Sequence, residues 1–163
     1  MSTVKSVVDG QTIRPFFSNR FPFSNFYRTQ FTVDGNKFYS SEQYFMYLKA
    51  LQFSDNESAQ KLLSERDPPK CKAIGRSVKN FDESVWNRES YEAMVKAIRA
   101  KFSQNQDLKE YLLATGTAIL VEASPYDRIW GIGMAESDEN INNPNKWNGQ
   151  NLLGKALMQV RDE

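Results

Sequence analysis

Aromatic and β-branched residues crowd two early stretches, Thr12 to Phe17 and Phe26 to Val33, and the second meets Asp34-Gly35 before Phe38-Tyr39. A tight-turn pair flanked by such runs predicts a β-hairpin. Ser40, followed at the third position by Gln43, has the form of a capping box and starts a helix carrying Glu42, Tyr44, Phe45, Tyr47, Leu48 and Lys49. Further helix starts are read at Asp55 and at Pro69, a first-turn proline, with Gly75 as the stop of the second. The clearest periodicity is Tyr91, Met94, Val95, Ile98 and Phe102, one apolar stripe on a core helix from about Arg88 to Ser103. Asp107 with Glu110 suggests another capping box, for a short helix stopping near Gly116, and Ala118 to Val121 reads as a buried strand. From Met134 to Gly149 the chain turns polar, long for a featureless connection, as in loops that act as lids. A last helix holds Leu152, Leu153, Leu157 and Val160.

These elements predict an α+β fold: a single, mostly helical domain over residues 1–163, with a small antiparallel β-sheet built from the hairpin and the 118–121 strand. Residues 1–11 are expected to form a loosely ordered N-terminal segment. Hydrophobic residues at 40% and charged residues at 25% fit a globular chain and exclude a disordered or low-complexity one.

Charge narrows the function. Twenty-one basic and 20 acidic side chains leave a net +1, too little for a whole-molecule field that captures polyanions, so a nucleic-acid contact needs a local patch. Arg66, Lys70, Lys72, Arg76 and Lys79 against Asp67 could form one, a solvated face being the simpler reading. No basic-plus-apolar leader and no long apolar span are present, so a cytoplasmic protein without membrane insertion is expected. The single cysteine, Cys71, excludes an internal disulfide, and the absence of histidine excludes His-containing zinc sites and Ser/His or Cys/His dyads.

Acid/base work therefore falls to carboxylates, lysines or tyrosines. Glu42 lies in a helix first turn among Tyr39, Tyr44 and Phe45; Asp127 stands between Tyr126 and Trp130. Lys49, seven residues after Glu42, returns to nearly the same helical face at about 100° per residue. The simpler alternative has Glu42 favouring the helix dipole, Lys49 solvated and Asp127 in a turn, and spacing alone favours it. Trp130-Gly131-Ile132-Gly133 lacks the third glycine of a dinucleotide fingerprint; it could bring backbone amides to phosphate beside a stacking indole, or be a tight turn under a tryptophan. Asn25, in Phe23-Ser24-Asn25-Phe26, could hold a sugar hydroxyl or shape a turn. Arg76 is the best single phosphate candidate, read as a loop residue after Gly75.

The ordered set Phe23-Ser24-Asn25-Phe26, Ser41-Glu42-Gln43-Tyr44-Phe45 with Lys49, Gly75-Arg76, Trp86, Lys101-Phe102, Leu120-Val121-Glu122, Asp127 with Trp130-Gly131, and Asn151-Leu152-Leu153-Gly154 with Leu157-Met158 and Arg161 resembles the NADAR family, which includes the YbiA-like N-glycosidases. The resemblance spans Phe16 to Arg161. It implies hydrolysis of an N-glycosidic bond at a phosphorylated ribose, with ADP-ribose on guanine, including guanine in DNA, as substrate. ADP-ribose would be the product. YbiA-like members act on phosphoribosylamino-pyrimidine intermediates of riboflavin synthesis. Gln43 stands where the YbiA-like pattern has histidine and Ile132 where it has an acid, and the Trp-Gly-Ile-Gly form with the longer polar loop is similar to the ADP-ribose-handling branch.

The family glutamate maps to Glu42, the pocket tryptophan to Trp86 and the acid before Trp-Gly to Asp127. Under the resemblance Glu42 stabilises positive charge at ribose C1 and activates water, while Asp127 protonates the departing base or holds ribose hydroxyls, the two roles being exchangeable. Lys49 offers a second route through a Schiff base with the opened sugar. Asn25, Tyr44, Arg76, Trp86, Trp130, Gly131 and Asn151 are the substrate-binding candidates; no metal or cofactor is called for. The competing readings are a riboflavin-intermediate N-glycosidase and a non-catalytic module that binds ADP-ribose or nucleic acid. The enzyme reading requires Glu42 and Asp127 to converge on one sugar-sized cavity walled by rings.

Overall fold

The computed structural model describes residues 6–8 and 11–163, so most of the expected N-terminal segment lies outside the described residues. The chain divides into two compact units, one of Asn25–Lys109 and one of Met1–Ser24 with Glu110–Glu163.

In the 25–109 unit, β3 (Phe31–Val33) and β4 (Asn36–Phe38) pair antiparallel as the sequence predicts. Asp34 and Gly35 both take positive φ, 51° and 82°, as a two-residue hairpin turn demands. The Gln104 side chain clips the free edge of β3: its Oε1 accepts from Thr32 N–H at 2.9 Å and its Nε2 donates to the Thr32 carbonyl at 2.7 Å. Helix α1 (Ser41–Gln52) is the hub, packing on α2 (Asn56–Ser64), α3 (Pro68–Arg76) and α4 (Glu83–Ser103).

Ser40 caps α1 by accepting from Gln43 N–H at 3.0 Å, and Gln43 completes the box one residue early, accepting from Tyr39 N–H at 2.7 Å. Gln43 Nε2 also donates to the Leu62 carbonyl at 2.8 Å, which ties α1 to the end of α2. Asp55 caps α2 as expected. Two prolines open α3, where their missing N–H groups cost nothing. Gly75 does not stop α3: it lies one residue inside the helix end, at the point where Met46 of α1 presses in. Met94, Val95, Ile98 and Phe102 of the periodic stripe are buried, while α4 starts five residues before Arg88 because Asp82 caps it through the N–H groups of Ser84 and Val85.

In the other unit the sheet is mixed. β2 (Gln11–Phe16) lies between β1 (Ser6–Val8), antiparallel, and β5 (Ile119–Glu122), parallel. The 118–121 strand exists, shifted by one residue, but it pairs with β2 and not with the hairpin, so the sheet drawn from sequence becomes two small ones. Parallel pairing across the hundred residues between β2 and β5 leaves no local signal to read. Helix α5 (Gln106–Leu113) has Asp107 inside its first turn and is followed by Gly116 at φ +60°. Helix α6 (Leu152–Arg161) packs on β5, and Arg161 Nη1 donates to the Ala118 carbonyl and to Thr115 Oγ1. The fold class is α+β and mostly helical, with small sheets. No helix among the described residues is long and apolar enough to cross a membrane.

Candidate active site

The 25–109 unit gathers Asn25, Glu42, Lys49 and Trp86. Glu42 occupies the second position of α1, 7% exposed, and its backbone N–H donates to the Asn25 carbonyl at 3.1 Å. The Asn25 side chain is fixed from both ends: Oδ1 accepts from Ser41 Oγ at 2.8 Å, and Nδ2 points to Met94 Sδ of α4 at 3.5 Å. These bonds give Asn25 the local role, shaping the entry to α1.

Glu42, Phe45, Lys49 and Phe53 follow one face of α1 at helical spacing. Rings collect along it. Phe45 lies 5.3 Å from Trp86 between centroids, Phe53 lies 6.2 Å from Trp86, and Phe53 meets Phe81 edge-on at 5.4 Å. The Lys49 ammonium sits over the Phe81 ring, 4.6 Å from its centroid. Burial lowers the Lys49 pKa from the ordinary lysine value, and the Glu42 carboxylate opposes that shift. A buried carboxylate, a half-buried amine of lowered basicity and a half-buried indole thus share one aromatic-walled side of α1, an arrangement that can stabilise a cationic sugar and stack a flat base.

Phe53 and Phe81 escaped the sequence reading. Phe81 immediately precedes the Asp82 cap and Trp86 is the fourth residue of the helix, the spacing of a hydrophobic staple; recognising it would also have placed Trp86 inside α4.

The two other candidates of this unit stand elsewhere. Tyr44 is 2% exposed, packed on Phe38 at 4.7 Å and edge-on to Phe31 at 5.9 Å, on the side of α1 opposite Glu42, where it is part of the core. Arg76 is exposed in the last turn of α3, a helical residue and not a loop one. The basic run is partly spent on local partners: Arg66 stacks on Tyr39 at 4.0 Å, Lys79 pairs with Glu57 at 3.4 Å, and Asp67 takes Arg28 at 2.9 Å.

Asp127, Trp130, Gly131 and Asn151 belong to the other unit. Asp127 Oδ1 accepts from the N–H groups of Ile129 and Trp130 at 2.9 and 2.8 Å, the turn role weighed against chemistry in the sequence. Gly131 is a packing glycine: a Cβ there would meet the Asp127 and Glu122 carbonyls and Ser124 Cβ at 3.0–3.1 Å. The Gly131 and Trp130 carbonyls accept from Asn151 and Leu153 N–H. Asn151 is 2% exposed in a left-handed conformation, φ 54°, and its carboxamide accepts from Glu122 N–H at 3.0 Å and donates to the Leu120 carbonyl at 3.0 Å. It locks β5 to α6.

The NADAR domain pattern matches residues 15–163. The chain belongs to the NADAR family. This NADAR chain is 44% identical over 128 residues to N-glycosidase R617 of Acanthamoeba polyphaga mimivirus, across 78% of its own length and 75% of that protein. It is similar to the solved NMR structure of Escherichia coli YbiA, with a TM-score of 0.75 and 32% identity, covering 92% of this chain and 83% of that one. Riboflavin biosynthesis protein VVA0006 of Vibrio vulnificus is 34% identical over 140 residues, which span 86% of this chain and 34% of that larger protein. Within this NADAR chain Gln43 is fully buried in its bonds to Tyr39 and Leu62, and Ile132 is fully buried beside Ile13, Val121 and Met134.

Proposed function

We propose that the protein is an N-glycosidase that releases ADP-ribose from ADP-ribosylated guanine, in a nucleotide or in DNA. The observation that carries the reading is the aligned pair Glu42 and Lys49 on the aromatic face of α1, with Trp86 beside it. Cleavage breaks the bond between ribose C1 and the base nitrogen and builds positive charge on C1 and the ring oxygen. The Glu42 carboxylate stabilises that charge and takes a proton from the attacking water, whose oxygen bonds to C1; the departing base leaves with a proton. Asp127 is the second acid of the proposal, supplying that proton or holding ribose hydroxyls. Lys49 gives the alternative course, in which its neutral amine adds to C1 of the opened sugar, the base leaves C1 with a proton as the lysine imine forms, and water hydrolyses that imine to free the amine and the sugar. Trp86, with Trp130 as the other candidate, stacks on the base, and Arg76 binds phosphate. The same reading takes residues 1–163 as one functional domain working in the cytoplasm.

Relatives named N-glycosidase support the bond type. The Vibrio relative's riboflavin name supports a second reading, hydrolysis of a phosphoribosylamino-pyrimidine. Against it stand Gln43 and Ile132, which fill space where the YbiA-like pattern places ionisable groups.

Incubation with ADP-ribosylated guanine oligonucleotide and with the phosphoribosylamino-pyrimidine, followed by chromatography, tests the choice. Release of ADP-ribose, lost in Glu42→Gln while binding persists, is the expected result. Cleavage of the pyrimidine alone reverses the ranking, and binding without turnover by the wild type makes the chain a recognition module.

A further inference from the structure

One face of α4 carries Trp86, Ser90 and Met94, each four residues after the last. The outer two both reach the side of α1 that holds Glu42: Trp86 lies against Phe45 and Phe53, and Met94 Sδ takes the side chain of Asn25, whose own carbonyl holds the Glu42 N–H. Ser90 is set between these contacts, opposite the first turns of α1. It is 7% exposed, and among the described residues its hydroxyl makes no hydrogen bond, not even to the Trp86 carbonyl one turn back that a helical serine commonly takes. The buried Ser40, Ser41, Ser58 and Ser124 all have partners. Every fully enclosed side-chain nitrogen or oxygen among the described residues is bonded, so the Ser90 oxygen is not enclosed and opens on accessible space. Close helix packing does not account for the hydroxyl: Ala97, two turns on along nearly the same face, is fully buried without one.

We propose that Ser90 is a specificity-determining residue that holds the ribose hydroxyl next to C1 and so selects ribosyl over deoxyribosyl bonds. The assignment rests on the N-glycosidase reading above, in which Trp86 stacks on the base and Glu42 faces C1; the sugar ring joins those two, and Ser90 stands between the residues that meet them. A serine hydroxyl both donates and accepts, as a sugar hydroxyl does, and it offers no charge to a phosphate. A bond to the hydroxyl beside the reacting carbon also tightens as charge builds on C1, so it acts on the transition state as well as on binding. The selectivity has a use. ADP-ribosylated guanine in DNA has two N-glycosidic bonds, one to the ADP-ribose and one to its own deoxyribose, and a contact to the hydroxyl next to C1 favours the first and spares the second.

Ribose 5-phosphate and 2-deoxyribose 5-phosphate, titrated into the intact protein and followed by amide NMR shifts, test this without turnover. The wild type should bind the ribose form roughly two- to tenfold tighter, the worth of one neutral hydrogen bond, with shifts at Ser90. Ser90→Ala should bind the two sugars equally. It should also melt no lower than the wild type, since it loses no internal bond and gains a better helix former. No shift at Ser90, no ribose preference in the wild type, or a preference that survives in Ser90→Ala overturns the inference. So does a lower melting temperature of that variant, which would give the hydroxyl to the fold. Loss of the preference in Ser90→Ala, with no release of ADP-ribose or ribose phosphate from either glycoside by the wild type, upholds the sugar contact and removes the enzyme reading; turnover by the wild type with the preference unchanged in Ser90→Ala does the reverse.

Discussion

The Lys49 ammonium rests on the face of Phe81, 4.6 Å from the ring centroid, at the far end of the helical face that begins with Glu42. Two influences oppose each other there: burial lowers the lysine's pKa and the Glu42 carboxylate raises it. Removing the carboxylate leaves burial unopposed, so Glu42→Gln should lower the Lys49 pKa further below the ordinary lysine value of about 10.4. Side-chain NMR titration of Lys49 in both proteins reads this directly. A higher value in the variant would mean that the two groups do not share a field. Because the folded-state pKa is depressed, the charged lysine opposes folding at neutral pH, and Lys49→Met should melt no lower than the wild type while losing any borohydride-trappable sugar adduct.

Asp55 shows the opposite sign. The Lys79 backbone N–H, with the Ser58 hydroxyl and N–H, holds its carboxyl down at about 2. A depressed carboxyl contributes stability above its unfolded value of about 3.9 and loses it as pH falls through the folded value. Urea midpoints of Asp55→Ala should lie below those of the wild type at pH 7, and the gap should narrow steadily between pH 4 and 2. A gap constant across that range would detach the residue from acid unfolding.

Local signals served well where the deciding contact is close in the chain. Ser40 and Asp55 announced their helices because a cap bonds three residues ahead, and the Tyr91 to Phe102 stripe announced α4 because one face of a helix repeats every three or four residues. Glu42 and Lys49 were legible as a pair for the same reason. The ring under Lys49 was not: Phe81 reaches it through the meeting of α1 with the segment before α4. The packing of Tyr44 and the backbone bonds of Asn151 were not legible either, because a motif records that a position matters and not why. One fills the core against Phe38, and the other satisfies two backbone groups of β5.

Asn151 separates those two meanings experimentally. Its Nδ2 donates to the Leu120 carbonyl and its Oδ1 accepts from Glu122 N–H, so Asn151→Asp keeps the size, the left-handed backbone tolerance and one bond but sets an oxygen against an oxygen. With a buried carbonyl left unpaired and a carboxylate desolvated, the loss should be about 2–4 kcal/mol in chemical denaturation. Substrate affinity of the folded fraction should be unchanged; a variant of wild-type stability with a raised KM would return Asn151 to the substrate site.

Cys71 is buried on α3, where its Sγ donates to the Glu65 carbonyl at 3.2 Å, and burial, with the Glu65 charge second, pushes the thiol up to about 12. Thiolate is the reactive form, so the native protein should resist iodoacetamide at pH 8 and react fully in urea. Modification of the native protein at the rate of a free thiol would contradict that burial.

Gly75 explains why α1 and α3 come so close. A Cβ on it would overlap Met46 Sδ, a contact no side chain permits, although the atom met is the flexible end of a methionine and not backbone. Gly75→Ala should therefore destabilise by about 1–3 kcal/mol through overpacking, even though alanine is the better helix former. Met46→Ala alone should cost about 2–5 kcal/mol, since the side chain is 7% exposed. Combined, the two changes should cost less than their sum: the new methyl enters space the thioether has left, and the coupling of contacting residues then favours the double variant. Urea denaturation of the four proteins in this cycle yields the coupling energy. Strict additivity would mean that the helices are held at their spacing by other contacts and that Gly75 is free to vary.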